Sequence, residues 1–266
     1  MKKIIGRIWG IIYVPIIYMA VQIIVVSIFI AVGLSLISAT LVSALISIII
    51  FYFIWRKDKK TLEKPIKSFT MLRAFLVIAI AICLYFVTTY GLSLFYNPEV
   101  EQQQESMRNF MLSDSLIMQI VCIAIMAPIV EELLFRGIVF NRLRKFAPIW
   151  VAVIIQALLF GLMHFNSVQS IYTIFVGIVF ALIYLKIKSL WAPMLAHCVY
   201  NLIPVIIVQF VQDVPDVSDV EIEVIPVLIM MAVISCIGAL FGIALKKQKI
   251  EVIDWVCIKE KEDVDG

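Results

Sequence analysis

The sequence predicts an all-α polytopic membrane protein, with about eight transmembrane helices around an intramembrane cavity. Three observations carry that expectation. The 266 residues are 63% hydrophobic and only 15% charged, with a mean hydropathy of +1.07, outside the range of soluble domains. The apolar residues fall into runs close to the roughly 20 residues a helix needs to cross the hydrocarbon core. The basic residues gather in alternate connections between those runs.

The runs lie at 10–34, 37–55, 71–96, 115–141, 149–165, 168–185, 190–211 and 224–245. The first follows a basic start, MKKIIGRIWG, as a signal peptide would, but it is longer than the roughly 7 to 15 residues of a cleavable segment and lacks an A-x-A site. It reads as a retained helix. The segments MKKIIGR, RKDKKTLEKPIK, NRLRK, LKIKS and KKQK fall on one side if each run crosses once, whereas NPEVEQQQESMRN and QDVPDVSDVEIE, both acidic, fall on the other. Lys and Arg mark the cytoplasmic side, so both termini are expected there. The division that follows is three helices and a basic loop over 1–110, a core over 111–245 and a charged tail over 246–266.

Four cysteines, Cys83, Cys122, Cys198 and Cys236, sit inside predicted spans and Cys257 in the tail, with no CxxC pair. They suggest neither disulfides nor zinc. A net charge of +3 whose basic residues mark topology gives no support for nucleic-acid binding, and no internal repeat signals the paired halves common in transporters. Lys-rich and Ile-rich composition favours a bacterial plasma membrane.

The polar residues inside the spans carry the functional signal. Ionisable groups in hydrocarbon are costly and usually face a bundle interior or a wet cavity. Both histidines of the chain, His164 and His197, are placed there, with Glu131, Glu132, Arg136 and Asn201. Glu132 and Arg136 are four apart and can pair along one helix face, as can Phe160 with His164 and His197 with Asn201. Glu131 is turned about 100° from Glu132, so one carboxylate can be held by Arg136 while the other faces the cavity.

Depth agrees for two of the three segments: Glu131 lies about 21 Å before Lys145 and His164 about 22 Å after Ile149, across one basic turn. His197 is only about 10 Å past Leu190, so its turn at Lys186–Leu190 must sit deeper in the membrane. A packing ion pair would explain Glu132 and Arg136 alone, and an interhelical hydrogen bond would explain Asn201 alone. Two carboxylates, both histidines and an amide at matching spacing argue jointly for a site.

The segments EELLFR (131–136), FGLMH (160–164) and HCVYN (197–201) fit EExxxR, FxxxH and HxxxN. In that order, on late helices, they resemble the type II CAAX prenyl endopeptidases and their bacterial Abi relatives, the CAAX protease and bacteriocin-processing family. The resemblance implies an intramembrane endopeptidase that cleaves near a prenylated or hydrophobic peptide terminus. It implies Glu131 as the base that activates water with His164 beside it, Glu132 and Arg136 in support with Phe160, and His197 and Asn201 near the oxyanion. Cys198 departs from the small residue expected after the third-motif histidine.

In a partly desolvated cavity a carboxylate is a stronger proton acceptor near neutral pH, and donors fixed on one helix face can stabilise a tetrahedral oxyanion. The same residue types suit a three-ligand zinc site or a glutamic peptidase with no cofactor. The absence of HExxH favours the latter and leaves zinc as the alternative. Expected partners are membrane lipid and a peptide or protein substrate, prenylated or bacteriocin-like. A bacteriocin self-immunity or scaffold protein of the same fold, and a proton-coupled transporter, are the competing functions.

Overall fold

The computed structural model describes residues 2–59, 69–94 and 97–210. The expected span at 224–245 and the charged tail lie outside them. The described residues form eight helices: α1 (Lys2–Ala31), α2 (Leu36–Lys59), α3 (Met71–Ser93), α4 (Pro98–Met111), α5 (Leu116–Leu143), α6 (Ile149–Leu162), α7 (Ser167–Ile187) and α8 (Trp191–Phe210). Among the described residues there are no strands. All of these helices except α4 and α6 are long and apolar enough to cross a membrane, six in all, as a polytopic membrane protein requires.

Two elements differ from the sequence reading. The acidic connection after α3 is itself a helix, α4, started by Asn97, whose side chain accepts from the backbone N–H groups of Glu99 and Val100, with Pro98 at the first helical position. That is the arrangement in which a proline costs no hydrogen bond. The run at 149–165 stops early: α6 has 14 residues, about 21 Å of rise, against about 30 Å of hydrocarbon. His164 therefore lies in the turn beyond α6 rather than on a helix, and Phe165 next to it adopts φ 51°, a conformation a bulky residue rarely takes.

Helices in lipid gain little from apolar burial alone and associate where small residues let backbones approach. The closest pair here is α6 with α7. A Cβ added at Gly161 would stand 2.7 Å from the Ser170 carbonyl oxygen, and one at Gly177 would stand 3.3 Å from the Ala157 Cα. One apolar cluster joins α1, α2, α5 and α6, including Phe51, Phe135, Phe140 and Phe160, with Ala181 of α7 and Met194 of α8. A second joins α3, α7 and α8 around Phe180. The polar residues of the three motifs sit along the seam between the two.

α5 does not follow one helical pitch throughout. Ile120–Met126 and Leu133–Phe140 are wound as π-helix. Pro128 follows the first of these stretches. A proline inside a helix lacks a donor and clashes with the carbonyl four residues back, and a wider turn immediately before it is one way to relieve that clash.

Candidate active site

Arg136 is fully buried, and its surroundings explain how a guanidinium is accommodated there. Its Nη1 donates to Glu132 Oε1 at 2.8 Å with both side chains sealed from solvent. Nη2 donates to the carbonyl of Gly177 at 2.9 Å. The plane lies over the Phe160 ring, 4.6 Å from its centroid, with Phe180 at 5.5 Å. A buried charge needs this combination of a paired carboxylate, a carbonyl and aromatic faces.

Glu132 Oε1 accepts a second hydrogen bond, from His197 Nδ1 at 2.9 Å. A carboxylate at Nδ1 fixes the ring's orientation and turns Nε2 outward. That Nε2 stands 3.8 Å from Glu131 Oε2, and Glu131, unlike Glu132, keeps 17% of its side chain exposed. The two adjacent glutamates thus have different environments: Glu132 is locked between Arg136 and His197, and Glu131 is accessible with one histidine nitrogen facing it.

His164 is oriented differently. Its Nδ1 is 2.8 Å from the Phe160 carbonyl oxygen; a carbonyl only accepts, so Nδ1 donates there and Nε2 is turned away from that contact. The Phe160 ring meets the edges or faces of three partners: His164 at 5.0 Å, His197 at 5.8 Å and Phe135 at 5.1 Å, all near perpendicular. This buried phenylalanine under Arg136 is the common neighbour that ties the three motifs together. His197 also rests on Phe180, 5.0 Å away.

The depth condition on His197 is met. Lys188 ends α7 in a left-handed conformation with its N–H on the Tyr184 carbonyl, and the chain reverses at once. A Cβ at Gly137 would lie 3.4 Å from the Leu190 side chain, so α8 starts at the level of Gly137, about one and a half turns from Glu132. Asn201, one turn beyond His197, donates from Nδ2 to the Ile123 carbonyl at 3.1 Å.

Two contributors were missed in the sequence. Gln156, buried on α6, donates to the Gly177 carbonyl at 3.0 Å and so shares Arg136's acceptor. It was visible as the single strongly polar side chain in the run of α6, a placement that in lipid asks for a reason. Tyr18 of α1 lies close enough to Glu131 to feel its charge; a tyrosine in an apolar helix gives no such signal. As to metal, no group of three His, Cys, Asp or Glu side chains gathers among the described residues. The Nδ1 of each histidine faces an oxygen acceptor, which leaves Nε2 as the nitrogen a metal would use, but Glu132 Oε1 is occupied by Arg136 and His197, so these side chains as arranged do not assemble a three-ligand zinc centre.

Fold and site together define a polytopic membrane protein with a carboxylate–histidine–guanidinium cluster enclosed by its late helices. Residues 113–203 match the family model described as Type II CAAX prenyl endopeptidase Rce1-like. The matched segment is about a third of the chain, runs from just before α5 into α8 and contains all three motifs, so the resemblance read from EELLFR, FGLMH and HCVYN holds at the level of the family. No curated protein and no solved structure gave a match.

Proposed function

We propose that the protein is an intramembrane endopeptidase that hydrolyses a peptide bond with water activated by Glu131. The observation that carries this reading is the unequal treatment of two neighbouring carboxylates. Glu132 is sealed, with its Oε1 held by both Arg136 and His197, while Glu131 is accessible and faces His197 Nε2. A carboxylate that solvent can reach, beside a histidine nitrogen, is placed to act as a general base toward water.

In the reaction, Glu131 takes a proton from water as the water oxygen attacks the scissile carbonyl carbon. The developing oxyanion is met from α8 by the second N–H of Asn201, with the His197 ring beside it. Collapse breaks the C–N bond, and the proton collected at Glu131 is delivered to the leaving amine, with His164 Nε2 as the relay. The remaining proton of the product acid also passes to the amine, so the products are a carboxylate and an ammonium, with the enzyme returned to its starting charge. Glu132 and Arg136 take no part in proton transfer and hold His197. The match to a CAAX-type family supports a substrate whose scissile bond lies close to a prenylated or otherwise hydrophobic terminus, reached from the lipid bilayer.

The test is incubation of the purified protein with a peptide library that includes farnesylated C-terminal peptides. New termini produced by wild type and lost in His164→Ala support the relay; cleavage by His164→Ala at the wild-type rate removes it from the mechanism.

A further inference from the structure

The contact between Asn201 and Ile123 has an origin in the sequence of α5. Along the π-helical stretch, the backbone N–H of Ala127 donates to Cys122, five residues back. The next donor in that register, the one due to reach the Ile123 carbonyl, belongs to residue 128. Residue 128 is proline and has no N–H. The Ile123 carbonyl is thereby left over from the helical ladder, in a part of the molecule where an unpaired backbone acceptor is costly. Asn201 Nδ2 occupies it at 3.1 Å.

This has a consequence for the amide. Because a carbonyl only accepts, the Asn201 side chain must present its NH2 group to Ile123, which decides which way the amide is flipped. One of the two N–H bonds is spent on Ile123 and the other is left pointing elsewhere with its direction fixed by the first. A donor held in place before the reaction costs no reorganisation when charge develops. A freely rotating amide would lack that advantage.

We propose that Pro128, by leaving the Ile123 carbonyl without a helical donor, creates the acceptor that orients the Asn201 amide toward the reacting carbonyl. Pro128 and the Ile123 carbonyl are positioning groups, and neither touches substrate. The proposal rests on the endopeptidase reading for its catalytic half, while the contact itself can be tested without any activity.

The experiment uses full-length protein in lipid nanodiscs, with wild type, Pro128→Ala, Asn201→Ala and the double variant. Thermal unfolding reports the contact. An alanine at 128 supplies the missing N–H, so Asn201→Ala should lower the unfolding temperature clearly in the wild-type background and by less than half as much beside Pro128→Ala, a coupled cycle. Additive shifts would overturn the assignment. Cleavage of a library peptide reports the orientation. Losing an oxyanion donor costs about 100-fold in kcat, so Asn201→Ala should fall by about that and Pro128→Ala by about tenfold, with KM unchanged within about twofold because the interaction is made only in the transition state.

Pro128→Ala should also unfold at the wild-type temperature or above, since removing a proline from a helix interior does not weaken the helix. A Pro128→Ala protein with wild-type kcat, or one whose KM rises as much as kcat falls, would overturn the positioning role. If no variant or wild type cleaves any peptide while the stability cycle is coupled, the endopeptidase reading fails, the orientation role fails with it, and the backbone contact stands.

Discussion

Arg136 shows how much one side chain can be asked to do in a low-dielectric interior. It neutralises Glu132, occupies the Gly177 carbonyl and covers Phe160. Removing one member of a buried ion pair leaves the other uncompensated and costs about 3 to 5 kcal/mol. Arg136→Ala should therefore lower both unfolding temperature and activity sharply, and Arg136→Lys should recover only part, because an ammonium cannot span a carboxylate and a carbonyl with a planar fork. Glu132→Gln combined with Arg136→Ala should lose much less stability than the two single losses added, and additive losses would show that the pair does not interact energetically. The Glu132–Arg136 pair was legible from four-residue spacing alone. The double use of Glu132 Oε1 was not, because helical spacing says which residues share a face and nothing about which of two oxygens a histidine on another helix will choose.

At the scale of helices, the α6–α7 contact sets the positions of Phe160 and Gly177, and through them of Arg136 and His164. A Cβ at Gly177 would come within 3.1 Å of the Phe160 ring, tighter than ordinary contact, so Gly177→Ala should displace that ring and reduce cleavage more than it reduces stability. Gly161→Ala meets the Ser170 backbone oxygen at 2.7 Å. Backbone cannot yield as a side chain can, and this variant should unfold at a clearly lower temperature in a thermal-shift measurement; unchanged unfolding would mean the helices sit farther apart. Most helices were readable as apolar runs. α4 is hidden from hydropathy because its composition is acidic and polar, although Asn97-Pro98-Glu99 is a start signal. The apolar run outlasts α6 because hydropathy continues through Met163 and Phe165 while the backbone turns at His164. Hydropathy reports the side chains of a segment and not its backbone, so an apolar turn with an exposed Phe165 reads like an apolar helix.

For the molecule as a whole, orientation is the property on which access of substrate depends. Trp150 and Trp191 stand exposed at the N-terminal ends of α6 and α8, and Trp9 in the first third of α1, near the basic segments. Aromatic residues of this kind gather at the membrane–water boundary. With the lysine and arginine bias, they predict a cytoplasmic boundary at that level and α4 on the opposite side. A reporter fused after Lys247 should be active only as a cytoplasmic fusion, and one inserted near Gln104 only as an external one; the reverse pattern would invert the topology. The central claim is narrower than topology and concerns one proton. Glu131→Gln keeps the volume and polarity of the side chain but cannot take a proton from water, and its neighbour Glu132 is locked by Arg136 and His197 and cannot replace it. The direct measurement is the rate at which purified, correctly inserted wild type and Glu131→Gln cleave the same library peptide in nanodiscs. Cleavage by wild type, with a Glu131→Gln rate at the uncatalysed background and an unfolding temperature close to wild type, is the predicted result. Cleavage by Glu131→Gln at a rate near wild type would contradict it.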